Sequence, residues 1–200
     1  EIFNSAPEYG RQYEAGMKSD WLEGRLNTTL AIYRLERYNI RYRPDSINNP
    51  YEWRVRGKER SQGVELGAIG QLMPDWYLRG SAGWMSARIV EDNSDPAAVG
   101  RQLSNTAHFN GNVFVRYAPG EKFYGEIGLT RVGERFYYNG NTNIGQTLPG
   151  FTRVDMMAGY IHKHWSGTLA VSNLFNKQYW RSSSMPGEPR AFTARLSYRF

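Results

Sequence analysis

The chain has 200 residues, of which 25 are Lys or Arg and 19 are Asp or Glu, so its formal net charge is +6. It contains no Cys, which excludes disulfides, thiolate nucleophiles and thiolate metal ligands. The basic residues are dispersed, so the positive charge does not indicate nucleic-acid binding. No apolar run approaches the roughly 18 residues that a membrane-spanning helix needs, whereas abundant Tyr, Trp and Gly suit strands with one polar face.

Apolar and polar residues alternate with period two from end to end, which predicts β-strands. Turn signals divide the chain into nine predicted strands. These cover residues 11–19, 24–42, 51–72, 76–91, 106–118, 122–138, 150–162, 167–179 and 190–200. The alternation is clearest in the last strand, where every second residue from Phe192 to Phe200 is apolar.

The predicted connections alternate strictly between short and long. The short ones are 19–23, 73–75, 119–121 and the turn near 164–166, and the long ones are 43–50, 92–105, 139–149 and 180–189. Tight periplasmic turns and long extracellular loops are typical of outer-membrane barrels. The pattern therefore predicts an all-β fold, a transmembrane antiparallel up-and-down β-barrel in the bacterial cell outer membrane. Because single-chain bacterial barrels have even strand numbers, and an open sheet leaves two unpaired edges, we expect nine strands to be part of a larger wall.

Six short motifs resemble the TonB-dependent siderophore receptors, in the order of that family and over nearly the whole chain. They are PE followed by YEAGMK within 7–18, GKERSQGVEL at 57–66, VGER at 132–135, LPGFTRVD at 148–155, SNLFNKQY at 172–179 and GEPR at 187–190. One departure is Asn176, which stands where the family usually has Asp.

The resemblance implies a barrel of about 22 strands that encloses an N-terminal plug domain. Residues 1–200 then form the C-terminal portion of that barrel, about its last nine strands, with the plug absent from this chain. The implied function is energy-coupled uptake of a ferric siderophore, and the GEPR motif favours a hydroxamate or mixed type. Two alternatives stay open: a receptor of this family for another cargo, such as cobalamin, haem or a sugar, and a passive porin or adhesin barrel.

The partners that the resemblance implies are the ferric siderophore and the TonB energy-transducing complex, which the missing N-terminal part recruits. Outer-membrane lipid and lipopolysaccharide are expected to surround the wall, and no nucleic acid is expected. No cofactor and no protein ligand to iron are expected, because a siderophore saturates the coordination sphere of its metal.

Six residues on the extracellular side are candidate ligand contacts. Aromatic faces offer contact area at small entropic cost, and Arg supplies hydrogen bonds and charge to hydroxamate or catecholate oxygens. The candidates are Tyr51, Trp53, Tyr137, Tyr138, Trp180 and Arg181. A role as ordinary surface-loop residues remains open for each of them. Aromatic residues at strand ends are expected instead to form the interfacial girdles of the barrel. These are Trp21, Trp76, Tyr124, Trp165 and Phe200.

Nothing in the sequence indicates catalysis or a resident metal. His162 and His164 are spaced to share one face of a strand, but two ligands are too few for a metal site. The acidic run from Glu91 to Asp95 lacks the Gly and the distal Glu of a calcium loop, which favours a solvated loop. The chain has no G-x-S-x-G motif, and we predict neither catalytic nor metal-ligating residues.

Overall fold

The structure is a computed structural model that describes residues 6–42, 47–55, 57–139 and 144–200, with the backbone alone described at 42, 138, 139 and 144. The strands in these ranges are β1 Tyr9–Trp21, β2 Leu26–Tyr38, β3 Arg41–Tyr42, β4 Arg54–Val55, β5 Gly57–Met73, β6 Trp76–Asp92, β7 Phe109–Tyr117, β8 Phe123–Val132, β9 Arg135–Asn139, β10 Ile144–Leu148, β11 Phe151–His162, β12 Trp165–Ser172 and β13 Ala191–Tyr198. A 3-10 turn covers Pro96–Ala98. Within the described residues, no helix has the length and apolar character needed to cross a bilayer.

Nine of the strands form one antiparallel sheet in the order β1-β2-β5-β6-β7-β8-β11-β12-β13. Each strand pairs with the next one along the chain, apart from two short hairpins, β3-β4 and β9-β10, that stand in the loops. This confirms the predicted all-β, up-and-down architecture with nine main strands. The predicted alternation of connections is also confirmed, since the strand ends that border the long connections β2-β5, β6-β7, β8-β11 and β12-β13 share one end of the sheet.

The predicted strands are wrong where they run into these loops. The strand predicted at 24–42 ends at Tyr38, because Asn39 adopts a φ of 57°. The strand predicted at 167–179 ends at Ser172, because Asn173 and Asn176 both have a φ of 50°. Asn tolerates this left-handed region better than most residues, and each instance ends the extended backbone.

Two further predicted strands are divided in the structure. The range predicted at 51–72 contains β4 and β5, and the range predicted at 122–138 contains β8 and the start of the β9-β10 hairpin. The alternation of residue types continues from Tyr51 to Gly57, so the periodicity alone could not place the first of these breaks.

The strand register gives the main sheet one apolar and one polar face. Two apolar rows run across neighbouring strands: Ala15, Ile32, Val64, Trp84 and Phe109, and then Leu78, Val115, Ile127, Met156, Val171 and Phe192. The opposite face carries the polar row Lys18, Thr29, Gly67, Ser81, Asn112, Thr130 and Arg153. In a transmembrane barrel the apolar face meets lipid and the polar face lines the lumen. We therefore call them the outer face and the inner face.

Aromatic residues line the short-turn end of the outer face. Trp76 packs on Tyr117 and Trp165 packs on Tyr198, each with ring centroids 4.8 Å apart. Trp21 is 56% exposed on β1. Such rings are suited to the boundary between hydrocarbon and water. Four of the predicted girdle residues thus lie at this end, since Phe200 packs edge-on against Tyr198 at 5.1 Å.

Tyr124 does not belong to this girdle, and that part of the prediction is wrong. Its register partner on β11 is Gly159, and a Cβ on Gly159 would lie 2.1 Å from the Tyr124 ring. The ring thus covers a glycine on the inner face, where its hydroxyl lies 3.2 Å from the Thr168 hydroxyl. The guanidinium of Arg116 lies 4.0 Å from the ring centroid. Strand-end position alone does not tell which face a residue occupies.

Candidate ligand-binding site

The loop between β12 and β13 is folded around Asn173, whose side chain is 1% exposed. Its Nδ2 donates to the carbonyls of Lys177 and Glu188, at 3.0 and 2.9 Å, and its Oδ1 accepts the Lys177 N–H at 2.8 Å. The Asn173 N–H donates to the Asp155 carboxylate at 2.8 Å. The side-chain amide of Asn173 therefore joins both halves of the loop, and its backbone N–H ties the loop to β11.

Asn176 preserves the contact that an Asp would make at this position. Its Oδ1 accepts the backbone N–H of Arg190 at 2.9 Å. An Asp carboxylate offers the same oxygen, so the departure from the family motif keeps the hydrogen bond that orients the start of β13.

The same loop lies over the inner face of the sheet at its long-loop end. The rings of Phe151 and Tyr179 are stacked with centroids 4.1 Å apart. Arg153, on the polar row of the inner face, donates to the Tyr179 hydroxyl at 3.3 Å and pairs with Asp155 at 3.2 Å. These contacts place the 173–190 loop on the lumen side of the wall.

A recess of about 580 Å³ opens between this loop and the start of β11. Its lining comprises Pro149, Gly150, Phe151, Asn176, Lys177, Gln178, Tyr179, Trp180, Pro186, Gly187, Glu188 and Pro189. The volume falls within the range of about 300 to 1,000 Å³ that is usual for small-molecule sites. The recess combines aromatic walls with polar backbone and side-chain groups, which suits a bulky polar ligand.

Arg135 connects three of the four long loops. It is 7% exposed at the start of β9, and its Nη1 donates to the Asn105 side chain at 3.2 Å and to the Arg181 carbonyl at 2.6 Å. Its Nη2 donates to the Trp180 carbonyl. A guanidinium holds several acceptors in one plane, so this residue sets the positions of the loops relative to one another.

Three of the predicted contact residues lie around this junction. Trp180 lines the recess and is 46% exposed. The side chain of Arg181 is 55% exposed and lies 3.6 Å from the Glu188 carboxylate. Tyr137 lies on β9, two residues beyond Arg135, and is half-buried. Tyr137 belongs to one loop and Trp180 and Arg181 to another, and the structure brings these three predicted residues together around Arg135.

The remaining candidates are placed elsewhere or are not described. Tyr51 and Trp53 belong to the loop between β2 and β5, where they are 81% and 47% exposed. In the sheet order, β6, β7 and β8 stand between that loop's strands and β11. The side chain of Tyr138 lies outside the described part of the structure.

Sequence reasoning missed Arg135, Asn173 and Tyr179 as residues that shape the site. All three stand within motifs quoted above, so a signal was available. Motif matching does not show which member of a motif is buried, and burial is what separates Asn173 from its neighbours.

Among the residues that the structure describes, the side chains are not grouped as a metal site would require. No group of three or more His, Asp or Glu residues there could hold a metal ion. His162 ends β11 and His164 lies in the following turn, where its Nδ1 is 3.0 Å from the Arg199 carbonyl. The Asp92 carboxylate accepts the N–H groups of Ser94 and Asp95, at 3.0 and 2.9 Å, which closes the loop on itself.

The open antiparallel wall, with its apolar outer face and its long loops at one end, defines the chain as part of an outer-membrane β-barrel. The family model described as TonB dependent receptor-like, beta-barrel, matches residues 2–174. The chain therefore belongs to the TonB-dependent receptor β-barrel family, as the motif resemblance predicts, and its place is the bacterial outer membrane. The family consists of receptors and transporters.

Named relatives agree with this assignment. The chain is 33% identical over 204 residues to the metal-pseudopaline receptor CntO of Pseudomonas aeruginosa, a match that covers 97% of this chain and 28% of that protein. It is 27% identical to the ferripyoverdine receptor of the same species, over 92% of this chain and 24% of that one. The chain thus spans less than a third of the length of these relatives.

Solved structures show the same fold. The siderophore receptor PiuA from Acinetobacter baumannii superimposes with a TM-score of 0.81 at 22% identity, over 94% of this chain and 28% of that one. The ferripyoverdine receptor of Pseudomonas aeruginosa, bound to ferripyoverdine, superimposes with a TM-score of 0.77 at 24% identity, over 96% and 27%.

Proposed function

We propose that the chain supplies wall and extracellular loops to a receptor for energy-coupled uptake of a ferric siderophore, with a hydroxamate or mixed-type chelate favoured. In this proposal residues 1–200 are the C-terminal portion of the barrel, and a plug and the segment that engages the TonB complex belong to the rest of the full-length protein. The observation that carries the proposal is the aromatic and polar recess on the lumen side of the wall, beneath loops that Arg135 joins.

Trp180 and Tyr137 are proposed to contact the chelate, with Arg181 close enough to meet its anionic oxygens. A ferric chelate presents broad polar surfaces with delocalised rings, which aromatic side chains match without losing much side-chain entropy. Arg181 forms an exposed ion pair with Glu188. Because such pairs are weak, the guanidinium can turn to a ligand at a small cost in free energy. Tyr51, Trp53 and Tyr138 remain proposed contacts from the neighbouring loops.

A second cargo is favoured by one comparison. The relative with 33% identity is named as a receptor for metal-pseudopaline, so a metal-pseudopaline chelate is a candidate ligand for this chain too. Haem is less favoured, because the chain has three His and the two that flank the turn after β11 lie at the opposite end of the wall from the recess.

Growth of an iron-starved, receptor-deficient bacterium that carries the full-length gene tests the proposal. The panel of sole iron sources contains hydroxamate, mixed-type and catecholate siderophores, with metal-pseudopaline in a parallel metal-limited assay. Rescue by a hydroxamate or mixed-type chelate supports the proposal, and rescue by metal-pseudopaline alone replaces it with the second cargo. No rescue, with the protein present in the outer membrane, contradicts both.

A binding measurement then assigns the site. Replacing Trp180 by Ala is expected to weaken binding of the rescuing chelate by about tenfold or more, the usual scale for a central aromatic contact. Trp165→Ala is the matched control, because Trp165 is similarly exposed, at 51%, but lies on the outer face at the opposite end. Equal affinities for both variants would remove Trp180 from the site.

A further inference from the structure

The outer face changes from apolar to strongly charged above the row that runs from Ala15 to Phe109. Three successive register rows across β1, β2, β5 and β6 hold five cations and two carboxylates. The rows are Tyr13, Arg34, Gln62 and Ser86; Arg11, Glu36, Arg60 and Arg88; and Tyr9, Tyr38, Lys58 and Glu91. We call these twelve residues the outer belt. Binding and passage of a ligand through the lumen do not require a charged patch on the lipid side of the wall.

The centre of the outer belt is a shared carboxylate. Glu36 is 8% exposed, and it pairs with Arg60 at 2.8 Å and with Lys58 at 3.2 Å. Tyr38 donates its hydroxyl to the same carboxylate at 2.6 Å. Glu36 therefore fixes two cations in place, and the belt keeps a surplus of positive charge around it.

Three exposed cations of the outer belt, Arg11, Arg34 and Arg88, are not engaged with a carboxylate in the described contacts. Arg88 donates to the Gly100 carbonyl at 2.8 Å in the loop after β6. Arg34 donates to the Gln62 side-chain oxygen at 3.1 Å. Arg11 lies 5.8 Å from the centroid of the Tyr38 ring. The guanidiniums of Arg11 and Arg34 retain donors for an anion, and a phosphate suits their fork of N–H groups.

Two aromatic rings beside these cations are stacked face to face, and a third ring nearby is exposed. Tyr9 and Tyr38 are stacked with centroids 4.7 Å apart and planes 5° apart. Tyr13, on the next row, is 63% exposed. An exposed ring carries an apolar face and a polar edge, which fits a sugar ring whose phosphate is held nearby.

The position of the outer belt along the wall matches the headgroup level of the outer leaflet. Trp21 marks the short-turn boundary on β1, and Arg11 lies on the same strand and the same face, ten residues away. At about 3.3 Å per residue this is roughly 33 Å along the strand, or about 25 Å along the membrane normal for a tilt near 40°. That equals the height of the apolar band, about 25 Å, of such barrels.

We propose that the outer belt binds the phosphorylated sugar headgroup of the glycolipid in the outer leaflet, the lipid A part of lipopolysaccharide. Arg11 and Arg34 hold phosphate, Lys58 and Arg60 add charge while Glu36 orients them, and the exposed ring of Tyr13 beside Arg34 receives a sugar ring. The proposal is independent of the transported cargo, because it concerns the lipid side of the wall.

The test uses the full-length protein, stripped of lipid and placed in phosphatidylcholine nanodiscs that contain a small fraction of bis-phosphorylated lipid A. Retained lipid A is quantified by mass spectrometry. The variant Arg11→Gln with Arg34→Gln is expected to retain about tenfold less, a loss typical of charge-assisted hydrogen bonds. The control is Arg131→Gln, because Arg131 is an exposed cation of the outer face on β8, flanked in register by Gly111 and Thr152.

Three further arms make the result decisive. Arg11→Lys with Arg34→Lys keeps the charge and is expected to retain most of the lipid, which separates binding from folding. Dephosphorylated lipid A is expected to bind about as poorly as the Gln variant binds intact lipid A, and millimolar inorganic phosphate is expected not to displace the lipid. Four results would each overturn the proposal. Two concern the variants: wild-type retention by the Gln variant, or an equal loss in Arg131→Gln. Two concern the ligand: equal binding of the dephosphorylated lipid, or displacement of the lipid by inorganic phosphate.

Discussion

The Asp155 carboxylate on β11 accepts the backbone N–H of Asn173 at the point where β12 ends, with a distance of 2.8 Å. The strand thus stops against a side chain of its neighbour, and the chain turns over the inner face from there. The recess beneath the β12-β13 loop depends on this junction.

Replacing Asn173 by Ala is expected to destabilise the protein by about 2 to 4 kcal/mol, because several buried polar groups lose their partner at once. The quantity to measure is the free energy of unfolding in urea of the full-length protein in lipid vesicles. Asn112→Ala is the matched control, since Asn112 is an exposed inner-face residue with a bond to the Ser81 hydroxyl, and a shift below about 0.5 kcal/mol is expected there. Similar losses in both variants would contradict the role assigned to Asn173.

Asn176 offers a conservative test of the motif. Asn176→Asp is expected to leave stability within about 0.5 kcal/mol of the natural protein, because the oxygen that accepts the Arg190 N–H is kept. Asn176→Ala removes that acceptor, and a loss of about 1 kcal/mol is expected in the same unfolding measurement. A larger loss for Asp than for Ala would show that another property of the amide matters.

Arg135→Lys is expected to loosen the loops while leaving the barrel folded. Lysine keeps the charge but lacks the planar fork that reaches the acceptors on Asn105, Trp180 and Arg181. Limited proteolysis of intact cells should therefore cut the 173–190 loop several times faster, whereas the electrophoretic mobility of the folded barrel should not change. Arg131→Lys, on the outer face, serves as the control. Unchanged cleavage in Arg135→Lys would mean that the loops do not depend on this guanidinium.

The assignment of the two faces predicts an asymmetric response to charge. Leu169→Arg places a cation at an outer-face position that is 67% exposed, and a loss of about 2 to 4 kcal/mol is expected near the midplane. Ser81→Arg lies at a similar distance from the short turns but on the inner face, and a much smaller effect is expected. Unfolding of both variants in lipid vesicles measures the difference, and equal losses would reverse the face assignment.

Period-two alternation predicts the sheet, because burial in a barrel depends on face rather than on sequence context. The turn signals predict the strand number, and the connection lengths predict the end that carries the long loops. The prediction fails at Asn173, where apolar residues still follow but a left-handed backbone ends the strand. It also fails for Tyr124, since a ring at a strand end can cover a glycine in the lumen as readily as it can meet the lipid boundary. Those outcomes depend on partners from neighbouring strands, which a single sequence does not display.

The candidate site was predicted in part for a similar reason. The sequence predicts Trp180 and Arg181 as aromatic and basic residues at the barrel mouth. The structure places Trp180 in the lining of the recess and Arg181 3.6 Å from Glu188, another lining residue. Arg135 was not selected, because its importance comes from burial between loops that are far apart in sequence.

The acceptors of Arg135 in the 173–190 loop are both main-chain carbonyls, at Trp180 and Arg181. A carbonyl is present whatever side chain a residue bears. The side chains of Trp180 and Arg181 can therefore be exchanged during evolution without releasing the loop from its anchor. In the proposed site, the side chains of these two residues select the cargo and their carbonyls hold the loop, so a change of ligand leaves the scaffold unchanged.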